Sequence, residues 1–221
     1  MPRRRRASAR GLVFHVVNRS AKKTRLFDHQ DDYATFEFIL RQGLRRFRIA
    51  MFAYCIMPNH WHFVASALVE GELSRFMHWL TTKHACRWHT ARRTVGLGAV
   101  YQGRFKAIAV KADDHFLWVC RYVERNALRA GLVTAAEDWR WGSLWSRTHG
   151  DAGWLAPWPT PMPVDWRDAV NSPQANAELA RFRTAMRTNV PFGDAEWVAT
   201  IRGQLGMPPS RPRGRPQRTV L

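Results

Sequence analysis

The sequence predicts an α+β fold: a ferredoxin-like antiparallel sheet with helices on one face, extended by a small helical segment toward the C-terminus. Three observations carry this. Short β-branched or aromatic runs of strand type recur four times before residue 112, and two of them flank the turn signal Pro58-Asn59. Segments with apolar residues at three- and four-residue spacing fill the intervals. The resulting order, β-α-β-β-α-β-α, is that of a split βαβ unit with one helix added.

Residues 1–10 contain five Arg and few apolar side chains, so a basic disordered arm is expected. Residues 11–17 alternate loosely and form the first strand. A polar connector with Lys22, Lys23 and Arg25 leads to a helix capped by Asp31 or Asp32 and running to about Arg46, with Tyr33, Phe36, Ile39, Leu40 and Leu44 on one side. Residues 49–57 and 61–67 form the hairpin strands. Residues 72–92 are helical: Leu73, Phe76, Met77, Leu80, His84 and Trp88 recur at helical spacing until Val95-Gly96-Leu97-Gly98 breaks the pattern. Residues 105–111 make the fourth strand. Asp113-Asp114 caps a helix over 115–130 that Gly131 closes. Residues 137–145 form an aromatic turn that folds back on the core. The expected division is an arm (1–10), one catalytic domain (11–149), a Pro- and Trp-rich connector (150–174), two short helices (175–206) and a basic tail (207–221).

Charge is the strongest bulk signal. The 221 residues carry 35 Lys and Arg against 17 Asp and Glu, a net charge of +18, and only five of the basic residues are Lys. Arginine grips phosphate through a planar fork and stacks on bases, so a pI near 11.3 points to a nucleic-acid partner. No apolar run is long enough to span a bilayer, and no signal-peptide core follows Met1-Pro2-Arg3-Arg4-Arg5-Arg6, so a cytoplasmic, nucleoid-associated location is expected. Cys55, Cys86 and Cys120 are widely spaced without a C-x-x-C pair, and each reads as a small packing hydrophobe.

The chemistry concentrates at two places. In Met57-Pro58-Asn59-His60-Trp61-His62-Phe63 the two imidazoles lie two apart on a strand, so both point to one face while Trp61 anchors the other. Two neutral imidazoles make half a divalent-metal site, and an oxygen ligand beside them would suit Mn²⁺ or Mg²⁺ with an open position for phosphate. In Arg121-Tyr122-Val123-Glu124-Arg125-Asn126 the phenol of Tyr122 and the amide of Asn126 share a helix face at i, i+4. Asn126 can supply the oxygen ligand; Glu124, half a turn off that face, is its rival. A phenol is a poor nucleophile at neutral pH unless a cation assists it.

The motifs Pro58-Asn59-His60-Trp61-His62, Tyr101-Gln102-Gly103-Arg104-Phe105-Lys106 and Cys120-Arg121-Tyr122-Val123-Glu124-Arg125-Asn126-Ala127-Leu128-Arg129-Ala130-Gly131-Leu132-Val133 together resemble the REP-associated tyrosine transposases of the single-tyrosine HUH superfamily. The resemblance runs from the first strand to Pro191-Phe192-Gly193-Asp194 and Trp197. It implies that His60 and His62 ligate a divalent metal, Mg²⁺ or Mn²⁺, that Asn126 completes the site, and that Tyr122 is the nucleophile forming a 5′-phosphotyrosine link. It also implies a partner, single-stranded DNA carrying REP hairpins, and no organic cofactor; the chain is read as a monomer. Many family members have Pro after the Asn. Here Ala127 stands there, so a straighter helix path past Asn126 is expected.

Binding a single strand calls for a cationic groove. Arg3, Arg4, Arg5, Arg6, Lys22, Lys23, Arg104 and Lys106 are candidates, as are Arg213 and Arg215 in the AT-hook-like Pro212-Arg213-Gly214-Arg215-Pro216. Two other readings remain at this level: a non-catalytic ferredoxin-like nucleic-acid binder, and a metal-dependent nuclease that activates water and keeps Tyr122 for structure.

Overall fold

The computed structural model describes residues 9–21 and 24–207. Four strands, β1 (Val13–Arg19), β2 (Ile49–Met57), β3 (His60–Ala67) and β4 (Lys106–Val110), form one sheet in the order β2-β3-β1-β4, every pair antiparallel. This is the ferredoxin-like arrangement. Eight helices are described: α1 (Gln30–Arg46), α2 (Glu72–Arg92), α3 (Asp114–Glu124), α4 (Asn126–Arg129), α5 (Ser143–Thr148), α6 (Trp166–Asn171), α7 (Asn176–Thr188) and α8 (Ala195–Gln204). A short 3₁₀ turn covers Ala136–Asp138.

The sheet is apolar on both sides, and this corrects one expectation. Phe14, Val16, Ile56, Trp61 and Phe63 meet α1 and α2 on one face, as a ferredoxin-like sheet requires. Val13, Cys55, Met57, Val64, Ile108 and Val110 meet Phe116, Val119 and Val123 of α3 on the other, where Phe182 of α7 joins them. Helices therefore cover both faces. The physical reason is visible in β2 and β3, which are buried almost end to end; a one-sided sheet would leave half of those side chains in water.

Local signals place the elements to within a few residues. Asp32 sits one turn inside α1 rather than before it, and its carboxylate reaches back to the backbone N–H of Asp28 (2.9 Å) and His29 (3.2 Å). Asp113 caps α3 through the N–H of His115 at 2.9 Å. The single helix expected over 115–130 is interrupted at Arg125 and resumes as α4. Past Asn126, where Ala127 stands, the backbone stays helical: the Arg129 N–H bonds the Arg125 carbonyl at 2.9 Å and the Ala130 N–H the Asn126 carbonyl at 3.0 Å. Gly131 then takes a left-handed conformation (φ +67°), and the Leu132 N–H bonds the Ala127 carbonyl at 3.0 Å, closing the helix end. Of the cysteines, Cys55 and Cys120 are buried but Cys86 is exposed on α2, against expectation.

Gly43 marks the closest approach of α1 to α2. A Cβ there would lie 2.6 Å from the Phe76 ring and 2.9 Å from Trp79. Gly43→Ala gains about 1 kcal/mol of helix propensity but overpacks a buried ring contact, a cost of about 1–3 kcal/mol. A lowered melting temperature is expected, and an unchanged or raised one would contradict this packing.

A buried polar chain ties α2 to the sheet: the Trp61 indole N–H donates to the Tyr101 hydroxyl (3.4 Å), which lies 2.7 Å from His84 Nδ1. Burial, then the charge of Arg92, holds the His84 pKa at about 3. The unfolded chain, with histidine near 6.5, binds a proton there that the folded chain excludes. Stability is therefore full above about pH 6.5 and falls as pH drops toward 3, by up to about 1.4 kcal/mol per pH unit for this histidine. Urea midpoints measured from pH 7.5 to 4.5 should decline, and His84→Asn, which keeps an acceptor near Nδ1, should flatten the slope by one proton's share.

Candidate functional site

The edge where β1, β3 and α3 meet opens into a cavity of about 580 Å³. Its walls include His60, His62, Tyr122 and Asn126, so the residues singled out on the hairpin and on the distant helix converge. The pleat accounts for the first pair. His60 and His62 share a face with rings 4.9 Å apart, while Trp61 points to the opposite core and stacks on Phe63 at 4.4 Å. The helix accounts for the second: Tyr122 and Asn126 remain one turn apart across the interruption at Arg125.

Tyr122 is 5% exposed. Its ring stacks on Trp118 (5.8 Å), meets Phe182 of α7 edge-on (4.7 Å) and lies 5.9 Å from the His62 ring. The Arg129 guanidinium covers it at 4.2 Å. Arg129 also donates to Asn126 Oδ1, while the Asn126 amide N–H donates to the Val123 carbonyl at 3.2 Å. Glu124, the rival oxygen ligand, is turned away: its carboxylate accepts from Ser143 (2.5 Å) and the Trp166 indole (2.7 Å) in the interior.

Both imidazoles are held through Nδ1. His60 Nδ1 lies 2.6 Å from Asn59 Oδ1, and His62 Nδ1 lies 2.9 Å from Nε2 of His15 on β1. That leaves Nε2 of each ring for the cavity, the pattern of histidines oriented for a metal. Burial, then the charges of Arg19 and Arg129, pulls His60 down to about 4. Burial, then His60 and His15, drives His62 well below the ordinary range, so both rings are neutral and keep a lone pair at neutral pH. Among the described residues no group of three or more His, Cys, Asp or Glu could hold a metal ion. Any cation bound here needs an amide or substrate oxygen beside the two imidazoles, a donor set that Asn126 fits once Arg129 yields its oxygen.

Arg19, Arg104, Lys106, Arg129, Arg183 and Arg187 also line the cavity, and no acidic side chain does among the described residues. Of the candidate DNA-binding residues, Arg104 and Lys106 are thus brought to this cavity. Arg3, Arg4, Arg5, Arg6, Lys22, Lys23, Arg213, Arg215 and the AT-hook-like stretch lie outside the described residues. Sequence reasoning missed His15, Arg19, Arg129, Arg183 and Arg187. Arg129 was detectable, three residues beyond Asn126 on a helical path, and Arg183 and Arg187 share a face of α7 at i, i+4. His15 carried only the weak signal of a polar residue alternating with Val13 and Val17.

A ferredoxin-like sheet thus brings a histidine-paired strand, a helix tyrosine and a set of arginines to one cavity. The family model described as "Transposase IS200 like" matches residues 8–126, more than half of the chain, and the chain belongs to that family. The structure of a REP-associated tyrosine transposase bound to a REP hairpin shares its fold, with a TM-score of 0.54 at 21% identity over 74% of this chain and 93% of that one. A "putative transposase" from Deinococcus radiodurans R1 aligns at 14% identity and a TM-score of 0.39, over 71% of this chain and 100% of that one. No curated protein matches the chain. Among the described residues no helix is long and apolar enough to cross a membrane.

Proposed function

We propose that this transposase is a metal-dependent enzyme that binds single-stranded DNA with REP-type hairpins and cleaves and rejoins it through a 5′-phosphotyrosine link at Tyr122. The observation that carries the reading is the convergence of His60, His62, Tyr122 and Asn126 on one arginine-lined cavity. The hairpin-bound structure of the same fold supports the choice of DNA partner.

In this reading His60 and His62 offer Nε2, and Asn126 offers its amide oxygen, to Mg²⁺ or Mn²⁺. When bound, the ion polarises the scissile phosphate and offsets the charge that develops on it. Arg19, Arg104, Lys106, Arg183 and Arg187 bind the strand's phosphates. Stacking between Trp118 and Phe182 limits the motion of the Tyr122 ring and so orients its oxygen. Tyr122 loses its proton to solvent as its oxygen attacks phosphorus; the bond to the DNA 3′-oxygen breaks, and that oxygen leaves as a hydroxyl after taking up a proton. The covalent link preserves one phosphoester bond for another, so attack by a 3′-hydroxyl reverses the step without an energy source. Incubating the protein with Mn²⁺ and a labelled single-stranded hairpin should yield a denaturation-resistant protein–DNA adduct. Cleavage that releases a free 5′-phosphate with no adduct would instead favour a water-using nuclease.

A further inference from the structure

His15 is buried behind His62, which lines the cavity, yet the strand-cleavage reading gives it no part. It lies on β1 opposite Val64, two residue pairs from the Val17–His62 pairing and so on the same sheet face, and its ring reaches diagonally across to His62 on β3. The two rings are stacked, with centroids 5.1 Å apart and planes inclined by 23°, and His15 Nε2 sits 2.9 Å from His62 Nδ1. Phe182 packs edge-on against His15 at 5.2 Å, and the residue is 1% exposed. Its own Nδ1 is buried without a hydrogen-bond partner.

Two neutral imidazoles facing each other across 2.9 Å share one proton. If His15 Nε2 carries it, His62 must hold its own proton on Nε2, and no lone pair faces the cavity. If His62 Nδ1 carries it, His15 Nε2 accepts, and the His62 Nε2 lone pair is presented to the cavity. Only the second arrangement serves a cation, and nothing else is placed to accept from His62 Nδ1 among the described residues.

We propose that His15 is a positioning residue: its Nε2 accepts the His62 Nδ1 proton, and so sets the tautomer and orientation that make His62 Nε2 a ligand. The proposal rests on the metal-dependent reading of the site. It also accounts for a buried polar side chain on an otherwise valine-rich strand face. The arrangement leaves the His15 Nδ1–H without a partner, an unsatisfied buried polar group of the kind that calls for a functional reason.

The test has two readouts that need no turnover. The first is the ¹⁵N spectrum of the metal-free protein with labelled histidines: His62 should be protonated at Nδ1 and bare at Nε2. The second is Mn²⁺ affinity by calorimetry without DNA. His15→Phe, similar in size and without an acceptor, should weaken binding about 10- to 100-fold. His15→Gln, whose amide oxygen can replace Nε2, should restore it to within a few-fold of the natural protein. Finding His62 protonated at Nε2 in the natural protein would overturn the assignment even if the variants fail to fold. So would a folded His15→Phe protein that binds Mn²⁺ undiminished. A natural protein that binds no Mn²⁺ but keeps His62 protonated at Nδ1 would refute the metal reading and leave the His15–His62 bond as assigned.

Discussion

Tyr122→Phe should abolish the covalent protein–DNA adduct, lowering strand cleavage by at least about a thousandfold, while hairpin affinity stays within a few-fold. The separation follows from where the oxygen sits. The ring is held by Trp118, Phe182 and Arg129, and a phenylalanine ring keeps all three contacts. The cavity's cations, to which the proposal assigns the strand's phosphates, are untouched. Only the hydroxyl, the nucleophile of the proposed reaction, is lost, so the melting temperature should barely move. Gel analysis after denaturation reads the adduct, and an electrophoretic shift under native conditions reads binding. Undiminished adduct from the variant would remove Tyr122 from the chemistry.

The second large effect is expected at His60. His60→Ala removes one of the two imidazoles facing the cavity but leaves Trp61 and the hairpin packing in place. Mn²⁺ affinity should fall about a hundredfold or more, and cleavage should fall with it. DNA binding should persist, and its salt dependence should be unchanged, because the proposal assigns the phosphate contacts to the cavity's Arg and Lys side chains, which the substitution leaves in place. His62→Ala should lose as much activity and also cost stability, since that ring is buried and stacks on His15. Cleavage surviving His60→Ala would sink the metal-dependent reading. A natural protein that shifts the hairpin but never cuts it would favour a binding protein that has kept the fold alone.

Much of this was legible in the chain. The β2 strand, Ile49–Met57, and the α2 helix, Glu72–Arg92, fall where apolar run length and three-four periodicity place them. Pro58-Asn59 marks the hairpin, and Gly131 the helix end. The common face of His60 and His62 follows from a strand's two-residue repeat, and that of Tyr122 and Asn126 from helical spacing; both are short-range geometry. Other features resisted. Whether one or both sheet faces are covered depends on what α3 and α7 pack against. The burial of Glu124 is decided by Ser143 and Trp166, far along the chain. The exposure of Cys86 on an amphipathic helix depends on which flank of α2 the α1 helix leaves uncovered.

The sequence alone thus determined the shared strand face of His60 and His62, the shared helix face of Tyr122 and Asn126, and the ferredoxin-like order of elements, because each follows from spacing along the chain. The tertiary structure alone decided that His15 stands behind His62, that Arg129 holds both the amide of Asn126 and the ring of Tyr122, and that Arg183 and Arg187 reach the same cavity from α7. Those relations join separate elements, and where helical spacing links two of the residues it does not say which cavity they face. They arise only when the apolar faces of sheet and helices are buried against one another, and that burial fixes which polar side chains are left facing a shared space.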